Sequence, residues 1–162
     1  MKPDLNNLKA LATFCRTYGA PGYYRDWGTL ALLEYLNFHA QQGTLQVVQS
    51  PTTEVQGLGV VWQDWQRRVR ATLAAGQVNY FHWQRSAPAG DCYVAAHFVV
   101  TPAARRGPVL AQLVRACLTR FAGGADRPVL LLRHHAGRER FTEYRVQTIR
   151  RLAHLTPERM SP

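Results

Sequence analysis

The stretch "VVTPAARRGPVLAQLVRACLTRF", residues 99–121, constrains the fold more than any other part of the chain. An apolar run, "CYVAAHFVV" (92–100), ends at Val100, and a short loop with Arg105, Arg106 and Gly107 follows. Pro108 suits the first position of a helix. Beyond it Val109, Leu110, Leu113, Val114, Cys117, Leu118 and Phe121 recur at helical spacing. "GGAD" (123–126) breaks that helix, and "RPVLLLR" (127–133) reads as a buried strand. A strand, a helix and a second strand in this order form a crossover between parallel neighbours. The spacing therefore predicts a helix over 108–122 and a parallel pair from 92–100 and 128–132.

The remaining segments give the sheet its context. Asp4 can cap a first helix with Leu5, Leu8, Leu11, Ala12 and Cys15 on one face, ended by "YGAPG" (18–22). A second helix is expected from about Asp26 to Gln42, with Leu32, Leu33, Leu36 and Ala40 facing inward and Gly43 as its stop. Runs 44–49 and 55–62 flank "SPTT" and read as a hairpin. Gly57 and Gly59 within the second run point to a bulge or a close backbone approach. Residues 63–77 fit either a loop or a short helix exposing Arg67, Arg68 and Arg70, "VNYFHWQ" (78–84) reads as a strand, and 137–155 reads mostly as a helix.

At 162 residues the chain is the size of one domain, with a helix in 1–21 and a tail over 156–162. It has no apolar run of membrane-spanning length and no apolar leader at its start, so a cytoplasmic protein is expected. Cys15, Cys92 and Cys117 lack metal-ligand spacing and suit reduced, buried thiols; no metal site is expected. The net charge of +10 is uneven. Residues 1–101 carry 8 basic and 6 acidic side chains, and residues 102–162 carry 12 and 4. Arginine dominates, as GC-rich, bacterial-type coding also produces. Its planar fork binds phosphate and carboxylate, so the second half should attract an anion.

This order of elements, centred on 99–121, resembles the GNAT superfamily of N-acetyltransferases over roughly residues 22–150. The resemblance implies a single-domain α/β fold, a mixed sheet of about five strands flanked by helices, and acetyl-CoA or another acyl-CoA lying between two splayed strands. It also implies a pyrophosphate-binding loop of the form Arg/Gln-x-x-Gly-x-Gly/Ala. Here that loop departs from the pattern. Counting from Arg105 puts Pro108 and Leu110 at the glycine positions, and counting from Arg106 puts Val109 and Ala111 there. The cofactor-binding candidates are Val99, Val100 and Thr101, whose backbone N–H groups would polarise the thioester carbonyl, with Arg105, Arg106, Gly107, Pro108 and Val109 for the diphosphate. Tyr144 is the candidate acid for the leaving thiolate, because the superfamily often has a tyrosine at the start of its last helix. His82 and His97 are the candidate bases on the central strands, since imidazole titrates near neutrality. Asp91 and Glu54, near strand ends, are further base candidates.

"YRDW" (24–27), "GVVWQDW" (59–65) and "FHWQRSAPAGDCY" (81–93) resemble, more loosely, three features of the toxin-activating lysine acyltransferases. That family's catalytic histidine corresponds to Tyr24, so its base is missing. Trp27, Trp62, Trp65 and Trp83, with Tyr23, Tyr24, Tyr80 and Phe81, are candidates for a substrate groove, a core edge or a protein interface. The leading expectation is acyl transfer to an amine-bearing substrate. The superfamily's last two strands are not evident after residue 150, so that part of the acceptor site is expected to be missing or supplied by the second subunit of a homodimer. The alternative is a catalytically inactive GNAT-like module that contacts nucleic acid or an acidic protein through its arginines.

Overall fold

In the computed structural model the described residues are 5–19, 24, 27–75, 89–105, 108–119, 127–135 and 138–145. Helix α1 (Leu5–Tyr18) and helix α2 (Thr29–Gln41) precede a hairpin of β1 (Leu45–Gln49) and β2 (Val55–Asp64). Helix α3 (Gln66–Ala74), strand β3 (Cys92–Val100), a 3-10 turn (Pro102–Ala104) and helix α4 (Pro108–Thr119) follow, then β4 (Pro128–His135) and β5 (Arg138–Arg145). Among the described residues five strands lie in chain order, and only β3 with β4 runs parallel.

One departure from expectation is local. Helix α2 begins at Thr29 rather than near Asp26, with Gly28 at its N-cap, and ends as expected at Gly43, whose φ of 62° suits glycine. Of the two readings of 63–77 the short helix α3 is the one found, with Arg67 and Arg70 exposed as expected but Arg68 half-buried, because it turns in to pair with Asp64. A second departure changes the topology. Residues 138–145, expected to open the last helix, form β5, antiparallel to β4 from Pro128↔Arg145 to His135↔Arg138. The expected strand at 78–84 lies outside the described residues.

Strand alternation divides the core between two faces of the sheet. On one face α1, α2 and α3 cover Leu58, Val60, Trp62, Cys92, Val94, Ala96, Val99, Leu130 and Leu132. The opposite face carries Val61, Tyr93, Ala95 and Val129, with Phe98, Leu131 and Tyr144 packed on them. There α4 seats Val109 and Leu113 against Val48 and Val100.

Polar groups at the closed end of the sheet are tied down. Asp64, fully buried, accepts from the Trp62 indole N–H at 3.2 Å, the Trp65 N–H at 2.6 Å and Arg68 Nε at 2.7 Å. Asp91 accepts from the Gln66 N–H at 2.6 Å and so caps α3 from a neighbouring segment. Burial pushes the thiols of Cys15 and Cys92 up to about 12.

Candidate functional site

The site follows from how β3 leaves its neighbours. Among the described residues β3 pairs with β4 only at Tyr93↔Val129, Val94↔Leu130 and Ala95↔Leu131. Both strands continue, β3 to Val100 and β4 to His135, without further pairing to each other. A parallel pair therefore closes at its start and parts towards its end.

A β-bulge sits at the parting point. Leu58 pairs with Val99 and Val60 with Ala96, so His97 and Phe98 together oppose the single residue Gly59. The extra residue reverses the alternation of β3. Val94 and Ala96 face the α1–α2 side before the bulge and Val99 does so after it, whereas Val100 joins the α4 side. Bulges recur beside active sites because they re-aim the backbone.

Hydrogen bonding on the β2 side decides which N–H groups point into the gap. Val61 N–H bonds the Thr44 carbonyl on the β1 side, and Thr101 N–H bonds Gln56 O at 3.1 Å on the β3 side. In an antiparallel ladder opposed residues alternate between bonded and non-bonded pairs. Val99 and Thr101 therefore turn their N–H groups to β2, and Val100 turns its own towards the gap. Of the three expected donors, Val100 is the one so placed, and the Thr101 N–H is already committed.

The loop after β3 leads straight from this edge. Thr101 is half-buried, Arg105 and Pro108 are exposed, and Val109 is buried against Gly57 and Val100. Arg106 and Gly107 lie outside the described residues. The start of α4 has unpaired N–H groups and a positive dipole end, less the donor that Pro108 lacks.

The expected acid and bases distribute unevenly. His97 lies on the bulge, and its side chain is outside the described residues, as is the whole of His82. Tyr144 is on β5 opposite Val129, not at the start of a helix, and its ring packs on the Tyr93–Ala95–Val129 cluster. Asp91 is at the closed end capping α3, and Glu54 is in the β1–β2 turn. Asp91 therefore does not reach the parted strands, whereas the turn that holds Glu54 stands at the same end of the sheet as Val100. Tyr24, Trp27 and Trp62 are core residues rather than a groove: Tyr24 is 1% exposed and meets Trp27 edge-on at 5.6 Å. Among the described residues no group of three or more His, Cys, Asp or Glu could hold a metal ion, and no helix is long and apolar enough to cross a membrane.

No family sequence model and no curated protein matches the chain. Solved structures do resemble it. The loading GNATL domain of CurA from Lyngbya majuscula superposes with a TM-score of 0.59 at 10% identity, covering 82% of this chain and 62% of that one. The GphF GNAT-like decarboxylase in complex with isobutyryl-CoA gives 0.55 at 15% identity, covering 80% and 63%. The chain thus spans less than two thirds of either neighbour. With the parted parallel strands, the bulge beside them and the loop into α4, these likenesses establish that the chain has a GNAT-like α/β fold.

Proposed function

We propose that the chain binds an acyl-CoA between the parted ends of β3 and β4 and transfers the acyl group to an amine. The observation that carries this reading is the loss of β3–β4 pairing after Ala95 and Leu131, with the Arg105 loop at the end of β3. The complex of the GNAT-like neighbour with isobutyryl-CoA supports the choice of ligand. In this reading Arg105, Arg106 and the backbone of Gly107 and Val109 receive the diphosphate, with arginine charge offsetting the donor that Pro108 lacks. The Val100 N–H polarises the thioester carbonyl. His97, on the bulge, takes the proton from the attacking amine; Tyr144, opposite Val129 in the stretch where β3 and β4 still pair, is given no step in this reading.

Thermal unfolding with and without acetyl-CoA tests the binding step. A ligand at 100-fold over its Kd adds about 2.7 kcal/mol. A double Arg105→Ala, Arg106→Ala variant should lose that shift. No shift at millimolar acetyl-CoA overturns the reading. Salt-sensitive retention on heparin would then favour the alternative, a basic module for nucleic acid.

A further inference from the structure

Leu58, Val60 and Trp62 of β2 face the α1–α2–α3 side, so Gly57, Gly59 and Val61 face the α4 side. Each glycine there receives a neighbour directly. A Cβ on Gly57 would fall 3.2 Å from Val109 Cγ1, in the first turn of α4. A Cβ on Gly59 would fall 2.8 Å from Phe98 Cε1, 2.9 Å from Cδ1 and 3.2 Å from Cζ, so one edge of that ring lies on the glycine. Strands β2 and β4 flank β3 on opposite sides. The Phe98 ring stems from the strand that borders the gap, yet it is turned over β2 and away from β4. It is half-buried there, packed on the cluster of Val61, Tyr93 and Ala95 and on that of Val100, Val109 and Leu113. Phe98 shares a face with Val100 and stands about 7 Å nearer the point where β3 and β4 close. Other staggered rotamers of a strand side chain swing it off β2, and one carries it across the parted edge.

We infer that the Phe98 ring, seated on Gly59, sets the depth of the acyl subsite between β3 and β4, and that the seat keeps this depth open for an acyl chain longer than acetyl. This rests on the acyl-CoA reading above. With the diphosphate at the Arg105 loop and the thioester carbonyl at the Val100 N–H, the acyl chain runs on beside Phe98 towards Ala95 and Leu131, where the strands close. An acetyl group ends one carbon beyond the carbonyl, short of Phe98, whereas a hexanoyl chain reaches it. A side chain at position 59 lifts the ring from β2. Packing on its two flanks leaves the parted edge as the direction in which it moves. Phe98 thus lines the far end of the acyl subsite, and Gly59 acts through it as a positioning residue.

The experiment is calorimetric titration of the full chain with acetyl-CoA and with hexanoyl-CoA. Hexanoyl-CoA should bind the unmodified chain about tenfold or more tightly than acetyl-CoA. Gly59→Ala should weaken hexanoyl-CoA about tenfold and leave acetyl-CoA within about twofold. Adding Phe98→Ala to that variant should restore hexanoyl-CoA to within about threefold of the unmodified chain. Phe98→Trp, whose ring outgrows the seat while β2 stays untouched, reads out the same selective loss if Gly59→Ala does not fold. Equal affinity of the unmodified chain for both ligands overturns the subsite and leaves the acyl-CoA reading standing. Binding of neither overturns both. Loss of both ligands alike in the variants, or a double variant as weak as Gly59→Ala alone, also overturns the subsite, since either would show a general effect on the strands.

Discussion

Gly59 lies against the ring of Phe98, so close that a Cβ on Gly59 would fall 2.8 Å from Phe98 Cε1. The contact is the other half of the bulge. The extra residue on β3 brings the Phe98 ring over β2, and the strand opposite has no side chain at that point. The missing side chain and the re-aimed backbone at Val100 thus belong to one arrangement.

Gly59→Ala is expected to destabilise the protein by about 1–3 kcal/mol, because the Phe98 ring packs on both the Tyr93 and the Val109 clusters and cannot withdraw freely. Chemical denaturation measures the loss. Phe98→Leu in the same chain should recover part of it. A strictly additive pair of losses would show that the contact is not what holds the bulge.

Asp64→Ala should be among the most damaging substitutions at the closed end of the sheet. It leaves the Trp62 indole, the Trp65 N–H and Arg68 without their acceptor. Breaking such a network costs about 2–4 kcal/mol. Asp64→Asn keeps an acceptor for the indole and should cost less. Urea midpoints of the two variants give the comparison, and equal losses would mean that the charge alone matters.

Thr53 holds a φ of 67° in the β1–β2 turn, where its N–H bonds the Ser50 carbonyl at 2.9 Å. A β-branched residue is strained in that region by about 1 kcal/mol. Thr53→Gly should therefore raise the thermal midpoint slightly, the relief being partly offset by the greater freedom of glycine when unfolded. A fall in the midpoint would count against the turn geometry.

The Cys15 thiol, pushed up to about 12 by burial, stays protonated in the folded chain while the unfolded chain loses that proton near pH 9. The unfolded state then binds fewer protons, so stability is full below about pH 9 and falls as pH rises towards 12. The slope is about 1.4 kcal/mol per pH unit for this thiol. Cys15→Ala should flatten the decline in thermal midpoint between pH 9 and 11. In the unmodified protein, thiol reagents should reach Cys15 only as the chain unfolds.

Much of the frame is written in local pattern. The apolar run at 92–100, the Pro108 start and the 128–132 run carry the crossover, and all three elements occur. Gly57 and Gly59 marked a close approach, and both meet other residues tightly. Strand β5 was not legible in the same way. Arginine or glutamate occupies both phases of the alternation in "RERFTEYR", so neither a two-residue nor a helical period stands out. Pairing with β4 decides that segment, and with it the move of Tyr144 from a helix start to a strand. The tryptophans and Tyr24 were likewise ambiguous, because an aromatic ring suits a groove and a core equally until its neighbours are known.

The sequence by itself determined the run of strand, arginine-rich loop, helix and strand from β3 to β4, because apolar runs, a helix-opening proline and a helical period are local patterns. Where β3 and β4 stop pairing, which N–H faces the gap, and that 138–145 pairs with β4 as a strand were decided only by the tertiary structure. These are properties of register, and register is set by a bulge and by strands brought together from distant parts of the chain.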